Sequence, residues 1–405
     1  MKRERGDVYS SLCLLVILLA LLLRLVWMGL SGGDTILSRW GKQNTDAMEY
    51  HQLAKNILEG KGYSWEGRPT SYRPPLYPAF LTGIYFFAKG SGVSVVRFTQ
   101  AAIGALSVFL IFLITRLLFG KRSAEIIAGL IAAVYIYHIY WTSELYTETL
   151  FMLLIASSLF LLLKFAQTEK SIWLLAAGAG LGLTALCRST ALVFAAFVIL
   201  WLVIYFRKNW AAFFRRVCVF IGPLILVILP WAFRNYQVHH AFVLISTNGG
   251  RTFSAGVADD YLASLGLKGL IPKTRFHSGT EVERDKRYYR VALRAISKNK
   301  LAFAKITGRK FLHFWSPFVT GRRPLFVILG AVCYTPVLIL GALGIIFSLI
   351  KKEASSRMVL LILFLFLSFS LLHAIYIPNI RFRLPVIDPY LIVFAGYFLS
   401  KALRR

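Results

Sequence analysis

Several carboxylates and guanidiniums in this chain fall where charge is expensive and chemistry is the usual reason for it. Asp46 and Glu49 stand one helical turn apart in Asn44-Thr45-Asp46-Ala47-Met48-Glu49-Tyr50. Glu144 and Glu148 share the run Ser143-Glu144-Leu145-Tyr146-Thr147-Glu148, between two apolar stretches. Arg73 follows Tyr72 and precedes the twin prolines Pro74-Pro75, while Arg188, Arg234, Arg381 and Arg383 each sit at the end of an apolar stretch. A carboxylate accepts a proton from a hydroxyl. Arginine forks hold phosphate oxygens by paired hydrogen bonds. One to three carboxylates inside a ring of arginines is therefore equipment for activating a hydroxyl beside a phosphate.

Each of these residues also has a plainer explanation. Asp46 could cap a helix over 47–58, and Glu148 could simply favour the positive end of the helix it opens. Glu49 reads equally as a solvated side chain and Glu144 as an interfacial charge. Arg188, Arg234 and Arg383 could reach lipid headgroups, and so could Arg24, which lies within the outer half of the first apolar stretch. His138 and His373 suit packing at the ends of spans. What unites the candidates is the side of the membrane on which they fall.

The elements that must position them are membrane helices. The chain has 405 residues, 57% of them hydrophobic. The stretches 12–23, 101–115, 150–163, 217–232, 325–350 and 359–372 carry no charge at all. About 20 such residues cross a hydrocarbon core of ~30 Å, so the fold class is all-α and polytopic. Ten spans are expected, near 11–30, 96–119, 123–141, 148–166, 171–187, 189–206, 217–233, 324–350, 358–377 and 385–401. Arg188 divides an apolar run too long for one crossing, and the split of 171–206 into two spans rests on it. Lys2, Arg3 and Arg5, the connectors Lys121-Arg122, Arg207-Lys208 with Arg215-Arg216, and Lys351-Lys352 with Arg357, and the tail Lys401, Arg404 and Arg405 mark the cytoplasmic side.

Two long segments then face outward, 31–95 and 234–323, within one membrane domain covering 1–405. A charged helix is expected around 281–310, with Tyr289, Leu293 and Ile296 on one face; it fits a helix on the membrane surface or an ordinary solvated one. The net charge of +29 belongs to span ends and one loop, which points to anionic lipid or phosphate-bearing substrates and away from nucleic acid. Cys13, Cys187, Cys218 and Cys333 lie in or beside apolar stretches without metal spacing and read as buried free thiols. The basic start and long apolar stretch read as a retained signal-anchor.

In this order and on this hydropathy, a series of motifs resembles the GT-C superfamily of membrane glycosyltransferases. They are Asp46-x-x-x-Tyr50-x-x-Leu53-Ala54, Gly60-Lys61-Gly62-Tyr63, Arg73-Pro74-Pro75-Leu76-Tyr77-Pro78, Leu118-Phe119-Gly120-Lys121-Arg122, Thr147-Glu148, Pro230-Trp231-Ala232-Phe233-Arg234-Asn235-Tyr236, Ser246-Thr247-Asn248-Gly249-Gly250 and Arg381-Phe382-Arg383-Leu384-Pro385. Within it the chain is similar to the bacterial group near protein O-mannosyltransferases and the lipid A aminoarabinose transferase. The resemblance implies an enzyme of the plasma membrane, with its site facing the exterior or periplasm. It would move a sugar, with inversion, from a polyprenyl-phosphate donor to a lipid, glycan or protein acceptor.

On this resemblance Asp46 is the general base and Glu148 the second acidic residue. Arg73, Arg234, Arg381 and Arg383 grip the carrier phosphate, with Tyr72, Glu49 and Arg188 alongside. Protein O-mannosyltransferases carry an adjacent Asp-Glu pair, whereas Glu49 here stands three residues after Asp46. Asp46 and Glu148 could share a divalent cation, though no ligand-spaced cluster of His or Asp supports one. The rival is a transporter or flippase of a lipid-linked or anionic solute. That class places charge near the bilayer midplane and shows repeated halves, neither of which is seen here.

Overall fold

In the computed structural model the described residues are 2–32, 46–90, 92–318 and 324–403. Asn44, Thr45, Arg404 and Arg405 of the motifs above lie outside them. The chain is almost wholly helical, and each apolar stretch became a helix. In order these are α1 (Lys2–Leu30), α2 (Asp46–Leu58), α3 (Leu76–Phe87), α4 (Val93–Phe119), α5 (Arg122–Val134), α6 (Ile136–Thr142), α7 (Glu148–Thr168), α8 (Ser171–Cys187), α9 (Ala191–Phe206) and α10 (Trp210–His239). There follow α11 (Gly249–Ala255), α12 (Asp259–Ala263), α13 (Glu281–Lys298), α14 (Lys300–Trp315), α15 (Pro324–Ile350), α16 (Ser356–Ile375), α17 (Ile380–Arg383) and α18 (Asp388–Ala402). A two-stranded hairpin, β1 (Ser64–Trp65) and β2 (Arg68–Pro69), pairs antiparallel between α2 and α3.

Every one of the ten expected spans coincides with helix. Among the described residues, six helices are long and apolar enough to cross a membrane by themselves, and α5 with α6, bent by 52° at Tyr135, makes a seventh. The other three, α8, α9 and α18, have 17, 16 and 15 residues. At 1.5 Å per residue each is about 22–26 Å long, somewhat short of a full hydrocarbon core. The division of 171–206 is real: Arg188 is extended, at φ −147° and ψ 116°, and ends α8 before α9 begins. The protein is a multi-pass membrane protein.

Helices meet at small residues, as lipid-embedded bundles require because apolar surface alone does not drive association there. A Cβ on Gly178 of α8 would lie 2.1 Å from the Phe220 carbonyl oxygen of α10. One on Gly344 of α15 would lie 2.2 Å from that of Phe394 in α18. The outward faces are apolar, with Leu15, Leu22, Leu226, Leu229 and Ile346 all more than half exposed.

Three expectations change. Arg24 does not reach a headgroup; it is fully buried, with Nη1 donating to the Ala20 carbonyl at 2.8 Å and lying 3.5 Å from that of Ala133. Its side chain points into the bundle against Gly104 and Thr142, a direction that depth along the helix does not reveal. The single helix expected around 281–310 is two, α13 and α14, broken at Asn299 (φ −133°, ψ 47°). Of its expected face, Tyr289 and Ile296 do pack inward with Ala292 against Phe253, Val257 and Ile271, whereas Leu293 is 54% exposed. Finally, Cys218 is exposed rather than buried, though all four thiols are free. His138 and His373 are buried at span ends as expected.

Candidate functional site

The site is assembled from element termini. Asp46 and Glu49 occupy the first turn of α2, which its dipole favours for negative charge. The separation of three residues puts both on one face, and that face meets Arg73. Arg73 is held just ahead of α3 because Pro74 and Pro75 bar it from the helix. Its Nη2 donates to Asp46 Oδ1 and its Nε to Glu49 Oε2, each at 2.5 Å. Its guanidinium lies 5.3 Å from the ring centres of both Tyr50 and Tyr72.

On the other oxygen of Asp46 sits Arg381, from the short α17, with Nη2 donating at 2.9 Å. Arg381 Nε lies 2.8 Å from Oε1 of Glu148, the first residue of α7. Arg188, at the break between α8 and α9, lies 3.5 Å from the same oxygen. The result is an alternating chain, Glu49–Arg73–Asp46–Arg381–Glu148–Arg188, drawn from α2, the loop before α3, α17, α7 and the α8–α9 turn. Rings of Tyr146, Phe382 and Phe151 flank its arginines. Burial alone would raise the Asp46 pKa, but the Arg73 and Arg381 guanidiniums outweigh it and hold the carboxyl well below the usual carboxylate range.

Two arginines expected here stand elsewhere. Arg383, two residues from Arg381 on α17, points away and is fully buried. Its Nε donates to Asp388 at 3.0 Å and its Nη1 to the carbonyls of Phe314 and Ser316. Tyr135 donates to the second Asp388 oxygen at 2.6 Å, which closes that network. Arg234 donates to the carbonyls of Tyr63 and Thr70 and to Ser71 Oγ, so it clasps the 63–71 loop against α10. The Ser246–Gly250 motif is likewise a seat. Thr247 bonds Glu281, and the Gly249 and Gly250 backbone lets α11 lie against α13 where a Cβ would strike Tyr289 Oη or the Asp285 carbonyl.

Residues not anticipated support the chain from behind. Gln100, a lone amide in apolar α4, donates to the carbonyls of Thr142 and Glu144 and accepts from Tyr77, fixing the turn that carries Glu148. An uncharged polar residue in a membrane span is itself a signal. Tyr50, already marked by the Asp46-x-x-x-Tyr50 motif, is buried against Arg73 and edge-on to Tyr77. No three metal-ligating side chains gather among the described residues. Both Asp46 oxygens already hold guanidiniums, so a cation shared with Glu148 would have to displace Arg381.

Glu49, Tyr72 and Arg73 also line a cleft of about 1020 Å³. Its remaining walls come from the β1–β2 hairpin, Arg251 of α11, the 275–280 segment and the first two turns of α13. Glu281 forms part of it, accepting from Thr70 Oγ1 and the Ser71 amide as well as from Thr247. Tyr72 Oη accepts from Arg251 at 2.9 Å.

Comparison with known proteins bears on this arrangement. The family model for dolichyl-phosphate-mannose-protein mannosyltransferase matches residues 72–232, which include Arg73, Glu148 and Arg188. The oligosaccharyltransferase of Archaeoglobus fulgidus, tethered to an acceptor peptide, superposes over 100% of this chain at a TM-score of 0.59 and 15% identity. The chain has the GT-C-type membrane glycosyltransferase fold. The oligosaccharyltransferase AglB from the same organism, in complex with an inhibitory peptide and a dolichol-phosphate, superposes over 99% of the chain at a TM-score of 0.58 and 16% identity. The chain spans about half the length of these structures, 50% and 51%. ArnT from Cupriavidus metallidurans bound to undecaprenyl phosphate aligns over 100% of this chain and 79% of its own, with TM-score 0.44 and 13% identity. No curated protein sequence matches.

Proposed function

We propose that the protein is an inverting glycosyltransferase that takes a sugar from a polyprenyl-phosphate donor and gives it to an acceptor hydroxyl on the non-cytoplasmic face of the plasma membrane. We read its membrane helices and outer segments as one catalytic unit. The observation that carries this is the alternating chain of three carboxylates and three arginines, set at one end of a GT-C bundle beside a cleft.

The donor phosphate binds on the Arg381–Arg188 side of Asp46, and the acceptor enters through the cleft that Glu49, Tyr72 and Arg73 line. Asp46 takes the proton from the acceptor hydroxyl as its oxygen attacks the anomeric carbon. The bond from that carbon to the phosphate oxygen breaks, and the polyprenyl phosphate leaves with the electron pair. Arginines already in place stabilise the charge that develops on it. A phosphate needs no strong acid to leave, which is consistent with a site richer in guanidiniums than in protonated groups.

At rest Asp46 is a weak base because two arginines share its charge. A phosphate that draws Arg381 towards itself leaves Asp46 paired with Arg73 alone and therefore more basic. Donor binding thus prepares the base. Glu148 holds Arg381 and Arg188 in position through this exchange.

The test is the Asp46→Asn variant, purified and supplied with polyprenyl-phosphate sugar. Loss of about 10²–10⁴-fold in transfer rate, with donor binding retained, is expected. Transfer at the parent rate would remove Asp46 from this role. Solute uptake into vesicles with no glycosidic product would instead make the protein a transporter.

A further inference from the structure

The cleft beside the charge chain has a composition of its own. Arg68, Arg251, Arg275 and Arg284 all line it, and none of them has a carboxylate partner among the described residues. Arg251 donates to Tyr72 Oη and Arg284 to the Gly279 carbonyl, at 2.9 and 3.1 Å. The cleft's carboxylates are otherwise engaged. Glu49 is paired with Arg73, Glu281 takes hydroxyls and an amide, and Asp285 accepts the Gly250 amide at 2.6 Å. Neutral donors leave the charges of Glu281 and Asp285 in place, so the five arginines of the lining, Arg73 included, face four carboxylates, of which Glu66 is exposed at the hairpin turn.

These arginines come from three separate stretches: the hairpin, α11, and the 275–284 segment running into α13. They converge on one volume, so they are not a solvated face of a single helix. Four guanidiniums without a carboxylate partner among the described residues, in a lining where arginines outnumber carboxylates, leave forks free to receive an anion. Guanidinium forks pair with carboxylate and phosphate alike, but a phosphate monoester offers three oxygens to forks converging from three stretches where a carboxylate offers two. Trp65, Tyr72 and Phe276 line the same space and give flat apolar faces against which a saccharide ring can pack.

We infer that the acceptor is a phosphate-bearing saccharide, held in this cleft by Arg68, Arg251, Arg275 and Arg284 with its free hydroxyl directed at Asp46. The inference rests on the cleft being the acceptor side of the proposed transferase. The saccharide is either water-soluble or carried as a lipid headgroup, because the same phosphate chemistry serves both.

Glucose 1,6-bisphosphate is the probe, titrated calorimetrically into the purified full chain without donor. It should bind, and glucose should not. Binding should weaken about tenfold or more in R275Q/R284Q, and likewise in R68Q/R251Q, as loss of charge-assisted bonds requires. K305Q/R309Q, which removes two exposed charges of α14 outside the cleft, should bind as the parent does. Equal weakening in K305Q/R309Q would reduce the effect to diffuse charge and overturn the proposal. So would absence of binding, or hexaglutamate binding more tightly than the bisphosphate, which would indicate an acidic peptide. Competition by phosphatidic acid micelles would identify a lipid-borne headgroup; lack of it would identify a soluble glycan. No donor is present, so the isotherm reads binding without chemistry, and its weakening in the cleft variants assigns it to the cleft rather than to Arg381 and Arg188. Failure of the general-base role of Asp46 would leave it unchanged.

Discussion

At the scale of the residue, an arginine here does one of two jobs. Arg73, Arg381 and Arg188 alternate with carboxylates around Asp46, whereas Arg383, Arg234 and Arg24 hold the protein together. Composition and spacing singled out all six, and nothing in the sequence distinguished the two groups. Arg381 and Arg383 show why. They are two residues apart on α17, so their side chains leave it about 200° apart, and one meets Asp46 while the other meets Asp388. Arg381→Lys keeps the charge but loses the fork that lies between Asp46 and Glu148. A fall of about 10²-fold in transfer rate is expected with little change in thermal stability, read by steady-state kinetics beside a melting curve. The depressed pKa of Asp46 fixes the sign of its pH behaviour. In the donor-free enzyme its carboxylate stays ionised down through the ordinary range of about 4, so the acid limb of the kcat/KM profile should fall below that range, with that of kcat higher.

At the scale of the element, the helices were legible because apolar runs of span length have no other reading. Their ends were legible only where proline stops a helix, as at Pro74-Pro75, or a charge interrupts an apolar run, as at Arg188. Asn299 is a weak breaker, and the split between α13 and α14 was not foreseen. What could not be read is how closely the helices approach one another, since that depends on which residues face each other across separate segments. Gly344 is such a contact. Gly344→Val places atoms where the Phe394 carbonyl already lies and should cost about 1–3 kcal/mol by forcing α15 from α18. A lowered unfolding temperature in detergent would show it. An unchanged temperature would mean that the two helices separate without penalty.

At the scale of the whole molecule, the distribution of charge between the two sides of the membrane is legible in the sequence itself. By the positive-inside rule the short basic connectors are expected on one side and the long polar segments, which carry the candidate site, on the other. This topology is checked by single cysteines in a background with the four native ones replaced. Lys268→Cys, in the segment between α12 and α13, should react with an impermeant maleimide on intact cells. Lys208→Cys, between α9 and α10, should react only after permeabilisation. The opposite pattern would place the site on the cytoplasmic face.

The alternation of carboxylate and guanidinium has one more consequence, for a cell bathed in inorganic phosphate. Three acids and three arginines cancel, so the resting site exerts little long-range pull on stray anions. An entrant must break an existing ion pair to gain a place, and free orthophosphate brings nothing else to offset that loss. A carrier whose lipid tail is already anchored in the bilayer arrives at high effective concentration and can offset it. With acceptor saturating, millimolar orthophosphate should therefore compete only weakly with the donor, and a Glu148→Gln variant, with one acid neutralised, should become measurably more sensitive to it.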